Sequence, residues 1–305
     1  MQATSVSPDG LTLVNAPTTF WRGTRRDVEQ LWSHRELLRA FTARELRSRY
    51  KGSKFGWVWA LIRPLTMLLI YGLAVGVFLG GGRTIPQFMV FIYCGLLAWG
   101  LFATIITACI GSVVNNGGLL TRANFPRLLL PLSAVIAALV DFLLQASVLL
   151  VGYAIFKDLP SPGDLLWLPA ALVPLLFFSV GLGLLLAGLN VYTRDVGFLT
   201  EVGLQVGFWL APVLYSYGQV VRGAEAFGLA GDLVTRIYML NPMANIVLGF
   251  QRALWPPANS AAAADYAFPG RLDLRLAICF VASLAVAWLG MRAYARLSNN
   301  FGQEL

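Results

Sequence analysis

Apolar residues run through this chain in long blocks. Trp57 to Gly80, Pro86 to Ser112, Leu129 to Ile155, Leu165 to Asn190, Val202 to Val221 and Leu272 to Tyr294 are each nearly free of charge. About 20 such residues wound as a helix cross a bilayer core of about 30 Å. A spanning barrel would show short alternating segments instead. The pattern therefore predicts an all-α, polytopic membrane protein with six transmembrane helices. Breakers separate the blocks, as in the "KDLPSPGD" turn before the fourth.

Residues from Leu31 to Tyr50 follow a helical period instead. Leu31, Leu37, Leu38, Phe41 and Leu46 share one half of a helical wheel, and Arg39, Arg44 and Arg47 share the other. Arg35 and Arg49 intrude on the apolar side, from which a long arginine can snorkel to phosphates. The expected element is a basic amphipathic helix within 31–56, lying in the inner interface of the membrane. A solvated basic tail is the alternative. Between the fifth and sixth blocks, in loop 222–271, "RIYMLNPMANIVLGFQRALW" is apolar but broken by Asn241-Pro242, Asn245 and Gln251-Arg252. It reads as a re-entrant or interfacial helix pair, since non-helical backbone at membrane depth must be buried in protein or face water. Residues 1–30 and 295–305 are left as terminal tails around a six-helix unit at 57–294. Residues 1–30 lack the early apolar core of a signal peptide.

Composition agrees with the pattern. Hydrophobic residues make up 57% and charged residues 12% of the 305, against about a quarter charged in a soluble domain. The net charge of +8 reports orientation and anionic lipid contact rather than nucleic acid. Ten Lys/Arg lie in residues 1–56, among them Arg47, Arg49, Lys51 and Lys54 directly before the first block. Arg122, Arg127, Arg194, Arg292 and Arg296 fall on the same side of a six-span arrangement. The opposite side has single charges, Arg83 and Lys157, in its short loops. By the positive-inside rule both termini are cytoplasmic and loop 222–271 is external.

Chemistry is sparse. There is no phosphate-cradling G-x-x-x-x-G-K-[ST] stretch, no G-x-S-x-G elbow and no H-E-x-x-H, so no catalytic residue is assigned. Cys94, Cys109 and Cys279 lie far apart in apolar blocks and His34 is the single histidine, so no metal site is expected. Asp141 is the one ionisable group in mid-block, with Gln145 a turn away on the same face. A carboxylate there costs about 2.5–3.5 kcal/mol on insertion scales. It reads as a polar contact between packed helices, with an ion relay as the alternative. Gly181, Gly183 and Gly188 in the fourth block predict close helix approach. Tyr71, Phe78, Phe208, Trp209, Tyr215 and Tyr217 are aromatic candidates for lining a glycan path.

Motifs add a resemblance. "RELRSRYKGSKFGWVWALIRP" is similar to the start of the permease subunits of polysaccharide-exporting ABC transporters. So are "NNGGLLTRANFPRLLLPLSAV", "LNVYTRDVGFL", "FWLAPVLYS" and "LNPMANIVLGFQRAL", which follow in the expected order. The resemblance implies a permease without its own ATPase, working as a homodimer with two copies of a cytoplasmic ABC ATPase that binds ATP and magnesium. It implies coupling surfaces at Arg122, Asn124 and Arg127 and at Tyr192, Arg194 and Asp195. It also implies a polyprenyl-diphosphate-linked glycan of O-antigen, teichoic acid or galactan type, carried across a bacterial plasma membrane. Arg47, Arg49, Lys51 and Lys54 would receive the diphosphate, since adjacent cations bind phosphate well. Three other readings remain: an efflux permease for a drug or small lipid, a gradient-driven transporter, and a polyprenyl-lipid-modifying enzyme using Asp141 with Asp232, Asp265 and Asp273.

Overall fold

The computed structural model describes residues 29, 31–49, 51–122, 125–226, 228, 231–259 and 268–301. All regular structure among them is helical. In chain order the main helices are α1 (Arg35–Arg49), α2 (Val58–Phe78), α3 (Phe88–Val114), α4 (Leu129–Phe156), α5 (Pro162–Tyr192), α6 (Asp195–Trp209), α7 (Tyr217–Ala226), α8 (Gly231–Tyr238), α9 (Pro242–Leu254) and α10 (Leu272–Leu297). Five of these, α2, α3, α4, α5 and α10, are long and apolar enough to cross a membrane.

The centre of the bundle is α3, packed against both α4 and α5. A helix that is apolar all round belongs in an interior, and Ile92, Cys94, Ala98, Ile105, Ile106, Cys109 and Val113 of α3 are fully buried. On its other side α5 lies against α10. The two backbones meet at Gly181 and Gly290, where a Cβ on Gly290 would collide with the Gly181 carbonyl oxygen. Small residues at a crossing are what such an approach requires. The expectation for the glycines of the fourth block thus has a definite partner.

By contrast α2 is peripheral, and none of the residues Val58–Tyr71 is buried. Pro64 sits inside it, and from Gly72 to Phe78 the winding widens to a π-helix. Such segments are short and rare in other helices.

The predicted fifth span is not one helix. α6 ends at Trp209, residues 210–216 leave the helical path, and α7 starts at Tyr217. Pro212 has no amide hydrogen to continue the ladder. Ala211, Val213 and Leu214 are buried, and a Cβ at Gly95 of α3 would come 3.0 Å from the Val213 Cα. Carbonyls that leave a helical ladder need other donors, the buried one of Pro212 above all. Here side chains supply them: Gln251 Nε2 donates to Pro212 O at 2.8 Å, Asn241 Nδ2 to Leu210 O at 3.1 Å, and the Tyr215 hydroxyl to Trp209 O at 2.6 Å.

Two of those donors belong to the loop predicted as a re-entrant or interfacial pair, which forms α8 and α9. Asn241 caps α9 by accepting from Met243 N at 3.0 Å, with Pro242 at the first helical position. α9 packs among α3, α5 and α10, and its residues from Met243 to Gln251 are all buried. Arg252 tethers it to the start of α5. Its Nη1 donates to Asp164 Oδ1 at 2.6 Å, and its guanidinium lies over Trp167 and Phe268.

Candidate functional site

The basic run before the first apolar block opens onto α1. Sequence periodicity made α1 amphipathic, with Arg49 on the wrong face. The structure gives that position a reason. α1 packs along α4, and Arg49 Nη1 donates to Asp141 Oδ2 at 2.5 Å. Glu45, one turn earlier on α1, lies 3.5 Å from Arg49 Nε. Asp141 is 12 residues into α4, roughly 18 Å along it, and only 7% exposed. It thus makes an interhelical polar contact with α1.

Two more contacts fix α1. Arg44 donates to Asn116 Oδ1 at 2.6 Å, and Phe41 meets Phe125 edge-on at 5.3 Å. Both partners belong to the loop between α3 and α4. After α1 the chain turns through Gly52, whose φ of +80° suits a glycine. Arg47, Lys51 and Lys54 are exposed around this turn, whereas Arg49 is half-buried. The four predicted receiver cations therefore form two kinds: three that face outward and one engaged by carboxylates.

The two predicted coupling loops approach each other at the same end of the bundle. Asn124 lies outside the described residues, and of Arg122 only the backbone, at the end of the helix Gly117–Arg122, is described. Arg127 and Tyr192 are joined through the end of α10 and the residues that follow it. The Arg127 guanidinium lies over the ring of Phe301, and Tyr294 donates from its hydroxyl to Arg127 O at 3.1 Å. Tyr192 donates to Leu297 O at 2.8 Å, and its ring is 6.4 Å from that of Phe301. Phe301 is fully buried. Arg194 and Asp195 are exposed, and Asp195 sits in the first turn of α6, where a carboxylate suits the helix dipole.

Of the aromatic candidates, Tyr71 stacks on Phe208 at 5.6 Å, and Phe208 also meets Trp209 and Trp99. Tyr215 is 3.3 Å from the Tyr238 hydroxyl. Phe78 stands away from this group at 81% exposure, and Tyr217 is half-buried at the start of α7. An apolar groove of about 500 Å³ runs between α3, α5 and α6, lined by Trp99, Phe102, Phe178, Leu199 and Leu204 among others.

The pattern of the ABC-2 type transporter family matches residues 36–251, from the start of α1 through most of α9. The chain belongs to that family. This ABC-2 permease is 31% identical over 227 residues to the O-antigen export system permease protein RfbA of Myxococcus xanthus, covering 74% of this chain and 83% of the relative. It is 24% identical to a protein of the same description from Klebsiella pneumoniae over 270 residues, 88% and 95% of the two chains. The capsule polysaccharide export inner-membrane protein CtrC of Neisseria meningitidis serogroup B is 25% identical over 183 residues, 56% and 62% of the chains. As a family member the chain is a multi-pass permease subunit of the bacterial inner membrane, and ATP hydrolysis belongs to a separate subunit.

Sequence reasoning missed several parts of the permease. Trp99 was hidden inside a uniformly apolar block. Phe301 and Tyr294 lie more than 100 residues from Tyr192 or Arg127 in the chain, as the Tyr192–Leu297 bond shows with its separation of 105. The Arg252–Asp164 pair spans 88 residues. An acid closing a breaker turn and an arginine within an apolar stretch were the signals available for that last pair.

Proposed function

We propose that this permease is the membrane-spanning half of an exporter that moves a polyprenyl-diphosphate-linked polysaccharide to the outer face of the plasma membrane. The observation that carries the reading is coverage. Alignment to an O-antigen export permease takes in 88% of this chain and 95% of the relative. It therefore includes the basic turn as well as the broken fifth segment. A capsule polysaccharide export protein among the relatives likewise points to a polysaccharide.

In this reading α6 and the 210–216 segment make the sixth crossing, so that both termini are cytoplasmic and α7 to α9 face outward. Two copies of the permease form the conduit, and two copies of an ABC ATPase, loaded with ATP and magnesium, dock on the Asn116–Arg127 and Tyr192–Phe198 loops. Arg47, Lys51 and Lys54 receive the diphosphate, and the Tyr71–Phe208–Trp209 aromatics offer faces on which the apolar side of a sugar ring can stack.

Deletion of the chain in its own cell tests the reading. The expected result is loss of surface polysaccharide with lipid-linked glycan accumulating at the inner face, restored by the intact chain. Unchanged surface glycan together with new sensitivity to a toxic small molecule would replace it with the efflux reading.

A further inference from the structure

Arg49 and Asp141 come from elements with different duties. Arg49 ends α1, two residues before the Lys51–Lys54 turn. Asp141 is buried on α4, and its carboxylate is joined to Arg49 through Nη1 while Glu45 approaches Nε. The guanidinium is thus satisfied by carboxylates although it belongs to a basic run whose other members are exposed. Carboxylate and phosphate oxygens are recognised by the same planar fork of donors. They compete for it.

We propose that Asp141 is a positioning residue that holds the Arg49 guanidinium until a diphosphate headgroup arrives at the basic turn and takes that guanidinium over, freeing the end of α1 from α4. The inference rests on the substrate class proposed above. A diphosphate brings more than one negative charge and is drawn in by Arg47, Lys51 and Lys54 together. Asp141 opposes the exchange, because a buried carboxylate that loses its partner is strongly disfavoured. The two tendencies offset each other, which makes the exchange reversible: when the headgroup leaves, Arg49 returns to Asp141. The movement has a route to the ATPase side, since α1 is also fixed to the α3–α4 loop by Arg44–Asn116 and Phe41–Phe125. A carboxylate pair serving only to pack α1 on α4 would show no competition with phosphate.

The test uses the permease assembled with its ATPase in nanodiscs of phosphatidylcholine, and reads the probe concentration that half-maximally changes the rate of ATP hydrolysis. Undecaprenyl diphosphate is the main probe, with inorganic pyrophosphate and phosphatidic acid in separate arms. Asp141→Asn should lower the half-maximal concentration of undecaprenyl diphosphate at least three-fold, because the competitor is gone. Glu45→Gln, at a half-exposed position on α1, should lower it by a smaller factor and serves if Asp141→Asn fails to assemble. The charge exchange Arg49→Asp with Asp141→Arg rebuilds the pair, so folded yield should return, but the half-maximal concentration should rise at least ten-fold. Pyrophosphate should follow the same order of variants. A charge exchange that restores the wild-type response, or single variants that leave it unmoved, would overturn the competition while leaving the export reading intact. An equal response to phosphatidic acid would overturn the assignment to a diphosphate. A wild-type complex insensitive to undecaprenyl diphosphate and pyrophosphate would overturn both the competition and the receiver it rests on.

Discussion

Tyr192 and Phe301 share a small aromatic knot, their ring centroids 6.4 Å apart, that joins the end of α5 to the segment following α10. Arg127 covers the same Phe301 ring from the α3–α4 loop. The knot therefore ties the two loops proposed to meet the ATPase. Phe301→Ala removes a buried aromatic, a change that costs about 3–5 kcal/mol in a well-packed site. The expected outcome is a transporter that still hydrolyses ATP but exports less glycan per ATP, with Phe301→Tyr close to wild type. An unchanged ratio of ATP hydrolysed to glycan exported in the alanine variant would make the knot a mere tail anchor.

The Arg252–Asp164 pair holds α9 to the start of α5, with Trp167 and Phe268 flanking the guanidinium. Removing one member takes the opposite charge away from a largely buried ion pair, a loss of up to about 3–5 kcal/mol. Asp164→Asn and Arg252→Gln should each lower the melting temperature of the detergent-solubilised permease by several degrees, and the double variant should fall no further than the worse single one. Additive losses would show that the two residues do not act as a pair.

At the α5–α10 crossing, Gly290→Ala would drive a methyl group into the Gly181 carbonyl. Folded yield should drop severely. Gly223→Ala, where nothing lies within 4 Å of an added Cβ, should be tolerated. Size-exclusion profiles of the two variants decide the matter, and a normal Gly290→Ala profile would show that the helices can part at that point without loss.

Among the receiver cations, Lys51 and Lys54 now make the cleaner test than Arg49, whose loss would also disturb α4. Orientation should survive Lys51→Gln with Lys54→Gln, because eight of the ten positive charges in residues 1–56 remain and the rule counts an excess. Each lost phosphate contact weakens binding by about 1.5–3 kcal/mol. Export should fall more than ten-fold while a cysteine at position 225 still reacts, and one at position 115 still does not, with an impermeant maleimide added outside. Full export by this variant would confine the lysines to setting topology.

Much of the bundle was legible because length and apolarity are local properties. α2, α3, α4, α5 and α10 all begin and end within a few residues of the predicted blocks. The fifth block misled because apolarity is not helicity. Pro212 was visible, but the donor that satisfies its carbonyl is Gln251, 39 residues away. Arg49 shows the limit most clearly. Its intrusion on the apolar face of α1 was evident from the wheel, and so was the lone acid in mid-block. Nothing local joins positions 92 residues apart, so two visible anomalies stayed separate until the packing of α1 on α4 made them one.

That separation also sets an order of events during synthesis. Chains grow at about 5–20 residues per second, so Arg49 leaves the ribosome roughly 5 to 20 seconds before Asp141. When α4 emerges into lipid, the cation that neutralises its acid is already made and waits at the membrane. A chain started after residue 50 would have to insert the same acid with no counter-charge from its own first helix. The basic segment would then be needed while the protein is born, before there is any transporter to operate.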